Sequence, residues 1–146
     1  MKTLLTIAMV AIFGAMVSAN PGSGTDYLVT KDGKVMVATV DFGLLRIHAH
    51  SLDGTLTKVF LRDVVSFKKD GETYCKKPLY NDKESTGFKV FMRLVSWKNG
   101  LGLYCYEDPT LGLKNNKRYF IFKDDSTLWL EVSQRNSETI RNFFSR

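Results

Sequence analysis

Phe88-Lys-Val-Phe-Met-Arg-Leu-Val-Ser-Trp97, followed by Lys98-Asn-Gly100 and Leu101-Gly-Leu-Tyr-Cys-Tyr106, decides the fold. In a strand, alternate side chains point to opposite faces. Phe88, Val90, Met92 and Leu94 then share one face, and Phe91, Val95 and Trp97 share the other. Both faces are apolar, so the stretch reads as a central strand covered on two sides. Arg93 interrupts the second face and must reach solvent or a partner. Asn99-Gly100 is the turn chemistry of a tight hairpin.

Working outward, Phe67-Lys-Lys-Asp-Gly-Glu-Thr-Tyr-Cys75 resembles Trp97-Lys-Asn-Gly-Leu-Gly-Leu-Tyr-Cys105. Two explanations stand side by side. One is an internal repeat, as in a threefold β-trefoil. The other is two hairpins that use the same favoured turn. The same apolar-strand, polar-turn rhythm runs through most of the chain. Strands are expected at Asp26–Thr30, Lys34–Phe42, Leu44–His50, Thr55–Leu61, Val64–Lys68 and Glu72–Lys76. More follow Trp97, at Leu101–Tyr106, Lys117–Lys123 and Thr127–Ser133. Gly43 breaks the rhythm as a tight turn or bulge. Pro78–Gly87 and Glu107–Asn116 are polar and read as the two long loops.

About ten short strands with a turn every eight to twelve residues predict an all-β fold. The expected architecture is a compact antiparallel barrel or sandwich, with the β-trefoil as the alternative. Only the tail has helical period. Asn136 or Ser137 can cap it, and Ile140, Phe143 and Phe144 then share a face that docks on the β core.

The chain has 146 residues, of which 44% are hydrophobic and 25% charged. That composition excludes a disordered or collagenous chain. Its start has the three parts of a signal peptide: Lys2, the apolar run Leu4–Val17, and the small residues Val17-Ser18-Ala19 before Asn20. The run is too short for the ~20 apolar residues of a membrane-crossing helix. Residues 1–19 are therefore expected to be removed, leaving a single secreted β domain over 20–146.

Loss of Lys2 lowers the net charge from +6 to +5. A basic secreted domain is drawn to anionic partners such as acidic glycans, lipid headgroups or acidic proteins. No nucleic-acid-binding motif is present. Cys75 and Cys105 are the only cysteines, and in an oxidising compartment an even pair predicts a disulfide. It would bring the bases of the two long loops together.

The sharpest polar constellation is Arg46-Ile-His-Ala-His50. Alternation puts Arg46, His48 and His50 on one strand face. Two histidines at that spacing can bind a metal or act as an acid–base pair. Arg46 beside them repels a cation, and the spacing also suits a solvated polar face. Neither a metal nor another cofactor is expected. No P-loop, dinucleotide fingerprint, serine elbow or zinc-protease motif occurs. Trp129 shares its strand face with Thr127 and Glu131, which marks it as a candidate contact aromatic.

These readings converge on a non-enzymatic binding protein. It is expected to recognise an extracellular protein or an anionic surface through loops on a rigid scaffold. The alternative is a carrier for a small hydrophobic ligand, held inside an aromatic-lined barrel.

Overall fold

A computed structural model describes residues 26–107, 116–124 and 126–145. The expected signal peptide and most of the Glu107–Asn116 loop lie outside the described residues. Among those residues the chain forms ten antiparallel strands and a short C-terminal helix. The described residues divide into two compact units, with the boundary between Thr73 and Tyr74.

The first unit contains β1 (Tyr27–Thr30), β2 (Val35–Phe42), β3 (Arg46–Ser51), β4 (Leu56–Phe60) and β5 (Val64–Lys69). A 3-10 turn, Leu61–Asp63, joins the last two. The strand order is β5-β1-β2-β3-β4. Val40 faces Ala49, which faces Thr57, and Ile47 faces Val59. Leu28 faces Met36 on one side and Phe67 on the other. Leu28, Ala38, Val40, Ile47 and Ala49 are fully buried and form the apolar face. The opposite face of β2, β3 and β4 carries Thr39, Asp41, Arg46, His48, His50 and Lys58.

The second unit is a meander. It runs through β6 (Glu72–Asn81), β7 (Glu84–Lys98), β8 (Leu101–Glu107), β9 (Lys117–Lys123) and β10 (Thr127–Glu131), in spatial order. β7 is paired on both edges, by β6 and β8, but its two apolar faces are not both covered as expected: Met92 is buried, while Phe88, Val95 and Trp97 are exposed. Tyr104, Phe120 and Phe122 are buried against one another, with ring centroids 5.7 and 6.3 Å from Phe122. Lys77 is only 2% exposed, and its ammonium lies 4.6 Å from the Tyr104 ring centroid. Arg118 curls this sheet. From β9 it donates to Glu131 on β10 at 3.0 Å, and to Asn81 and the Tyr80 carbonyl on β6 at 2.8 and 2.6 Å.

The helix α1 (Ser137–Ser145) packs on β7. Ile140 is its buried residue, and Lys98 of β7 donates to the Phe143 carbonyl at 2.8 Å. Asn136 fixes the chain just before it. Its side chain accepts from the Ser133 amide at 2.7 Å and donates to the Glu131 carbonyl at 3.3 Å.

Three further expectations are corrected. The sheet is open and does not close into a barrel: β4 and β10 each pair along one edge only among the described residues. Lys58 in the middle of β4 and the register shift around Trp129 in β10 both blunt an edge against further pairing.

Pro78–Gly87 is no long loop. It is the paired end of β6 and the start of β7, closed by the two-residue turn Asp82-Lys83. The polar composition there belongs to exposed strand positions, with a register shift between Pro78 and Tyr80.

The Cys75–Cys105 disulfide is not formed, and both residues are buried thiols. They sit on β6 and β8 with β7 between them, about 9.5 Å apart by strand spacing, beyond the ~7 Å limit for a bridge. Cys75 faces Met92 and Cys105 faces Arg93, which are consecutive residues. The two thiols therefore point to opposite faces of the sheet.

The likeness between the two Cys-ending stretches follows from turn chemistry. Asp70-Gly71 and Asn99-Gly100 both have left-handed backbones, with φ of 52° and 82° in one and 51° and 77° in the other. This is the two-residue turn that matches strand twist.

Candidate functional site

β3 carries its polar residues outward, as alternation requires. Arg46 and His50 are exposed and His48 is half-buried, while Ile47 and Ala49 are buried on the other side. Register sets these residues in rows. His48 lies between Asp41 and Lys58, His50 lies between Thr39 and Leu56, and Arg46 faces Phe60.

His50 Nε2 is 3.7 Å from Asp41 Oδ2. That is longer than a hydrogen bond. Lys69 holds the same carboxylate at 3.5 Å and also donates to the Val40 carbonyl at 3.0 Å. Among the described residues no group of three His, Cys, Asp or Glu side chains could hold a metal ion. The two histidines and Arg46 thus share a face, in separate rows with separate partners.

Arg46 leads to a more distinctive feature. The turn Gly43-Leu44-Leu45 joins β2 to β3, and the strand expected from Leu44 starts only at Arg46. The Gly43 amide donates to the Arg46 carbonyl at 2.8 Å, closing the turn. A methyl group at Gly43 would sit 3.2 Å from that carbonyl oxygen, a tight contact that the backbone would have to relieve by a few tenths of an ångström. Leu44 is 94% exposed and Leu45 is 70% exposed. The Leu61 amide donates to the Leu45 carbonyl at 3.1 Å, tying the turn to the end of β4.

Phe60 ends β4 beside this turn and is itself exposed. The Arg46 guanidinium lies 4.5 Å from its ring centroid and that of Arg62 lies 4.9 Å from it. Among the described residues Arg46 pairs with no carboxylate. The carboxylates nearby in the chain are engaged: Asp41 as above, and Asp63 by Lys31 at 2.5 Å and Arg62 at 3.9 Å. Phe42 is half-exposed, edge-on to Phe67 at 4.9 Å. This end of the first unit therefore has an apolar tip above a collar of two arginines and an aromatic ring.

Leu44, Leu45, Phe60 and Arg62 were not legible as site residues. Paired leucines after a glycine read equally well as the start of a strand. The signal available was Gly43 itself, with the leucines confined between it and Arg46.

An open cleft of about 490 Å³ lies on the same unit, with Met36, Thr57 and Val59 along it and Lys31, Arg62 and Asp63 at its edge. None of its lining residues is aromatic. In the second unit Trp129 is 57% exposed on the edge strand β10, at the register shift between Leu128 and Leu130. Comparison with protein-family models, curated proteins and solved structures finds no match to this chain.

Proposed function

We propose that this is a secreted, non-enzymatic binding protein that recognises an anionic surface. The contact is the Gly43–Arg46 turn together with Phe60 and Arg62. The observation that carries the reading is the exposure of Leu44 and Leu45 above two guanidiniums that flank one ring. Exposed apolar groups rimmed by polar ones mark interaction sites, and arginines beside them select negative charge. Residues 26–73 contain seven basic and seven acidic side chains. The attraction is therefore local to the tip, and does not come from a general positive field of that unit.

The carrier alternative has less support. The aromatics that would line its cavity, Tyr104, Phe120 and Phe122, are packed on one another and on Lys77.

The test compares salt elution from an immobilised polyanion. Arg46→Gln with Arg62→Gln is expected to elute clearly earlier than a charge-matched control, Arg135→Gln with Arg141→Gln. Equal shifts for the two pairs would contradict a localised site. Secretion is tested by the mass of the exported form, which is expected to begin at Asn20.

A further inference from the structure

We infer that the anionic surface is a lipid bilayer, and that Leu44 and Leu45 enter its interface while Arg46 and Arg62 bind phosphate headgroups. This rests on the anionic-surface reading above and names its ligand class.

Shape is the first argument. The leucines cap a turn that projects from the end of β2 and β3, with 94% and 70% of their surface open. Arginines beside an aromatic ring would also suit a protein partner, but leucine is under-represented among the anchors that hold one, and the most exposed residues here are leucines. An acidic glycan offers anionic groups to the arginines but nothing apolar to two exposed leucines. An acyl-chain boundary takes leucine directly.

Charge complementarity is the second argument. Arginines close to an anionic leaflet add an electrostatic attraction to the apolar contribution of the leucines. The guanidiniums sit 4.5 and 4.9 Å from the Phe60 ring, and Arg46 directly follows Leu45 in the chain. Apolar side chains beside an aromatic ring and cations are the residue types that meet at a membrane interface.

Backbone satisfaction is the third argument. Unpaired peptide groups oppose entry into lipid. Here the Gly43 amide and the Leu45 carbonyl are hydrogen-bonded within the protein, while Leu44 has no backbone hydrogen bond among the described residues, so entry stops at the hydrated interface. The contact is peripheral: no helix among the described residues is long and apolar enough to cross a membrane.

The same hairpin provides its own control. Leu52 is 87% exposed in the β3–β4 turn, at the far end of β3. The experiment is co-sedimentation of the processed chain with vesicles of equimolar phosphatidylcholine and phosphatidylserine, and with phosphatidylcholine alone. Wild type is expected to bind the anionic vesicles and to bind the neutral ones far less. Leu44→Ser with Leu45→Ser is expected to lose on the order of tenfold in affinity or more. Leu52→Ser is expected to bind like wild type. Arg46→Gln is expected to lose binding at low salt, with the difference shrinking as salt screens it.

Equal binding by Leu44→Ser/Leu45→Ser and wild type would overturn insertion, and so would an equal loss in Leu52→Ser. If wild type ignores both vesicles yet Arg46 and Arg62 still govern retention on the polyanion, the lipid inference fails and the anionic-surface reading stands. If neither surface responds to the tip, both fall. All three leucines are exposed, and circular dichroism checks that each variant keeps its fold.

Discussion

At the scale of single residues, two side chains make the sharpest claims. Cys75 and Cys105 point to opposite faces of β6 and β8, so oxidation to a bridge requires breaking the sheet between them. Thiol titration of the non-reduced protein is expected to find no reaction while folded and two thiols once unfolded. A mass lower by two hydrogens would contradict this register. Tyr119 lies opposite Cys105. Burial, and then the neighbouring Cys105, push its phenol above the ordinary 10.0. Above about pH 10 the unfolded tyrosine loses its proton while the folded one keeps it. The unfolded state then binds fewer protons, so stability falls as pH rises. Denaturant melts above that pH are expected to show a shallower loss in Tyr119→Phe than in wild type.

At the scale of elements, the turns and one close packing contact are testable. Lys83 sits at φ 71° in the β6–β7 turn, a left-handed backbone that costs a residue with a Cβ about 1–2 kcal/mol. Lys83→Gly regains part of this, less the added freedom of the unfolded chain. It is expected to stabilise by roughly 0.5–1 kcal/mol in urea melts. Gly102 on β8 faces Trp97 across the sheet. A methyl there would lie 2.5 Å from the Tyr104 ring and 2.8 Å from the Trp97 ring. Gly102→Ala is expected to destabilise by about 1–3 kcal/mol, with a lower Tm. The hairpins at Asp70-Gly71 and Asn99-Gly100 were legible because their turn residues are specific. The Asp82-Lys83 hairpin was not, because lysine is a poor residue for a left-handed turn and the flanking strands are polar. The leucine turn was hidden for the opposite reason, since Leu44-Leu45 has the apolar character of a strand.

At the scale of the whole molecule, strand content was written in alternation, which is local. Closure was not, because it depends on which edges remain unpaired: β4 stops at Phe60 and β10 is interrupted at Trp129. The absence of a disulfide was equally invisible, since cysteine count does not reveal how many strands separate two thiols. The polar face of Arg46, His48 and His50 was legible, but its use depends on the turn beside it. The central claim is that the β2–β3 turn and the end of β4 form the contact. Hydrogen exchange, read residue by residue with and without anionic vesicles, tests it most directly. Slowed exchange confined to residues 43–46 and 60–62, with residues 52–54 unchanged, is the predicted result. Slowing centred on the Trp129 edge instead, or none at the leucine turn, would contradict it.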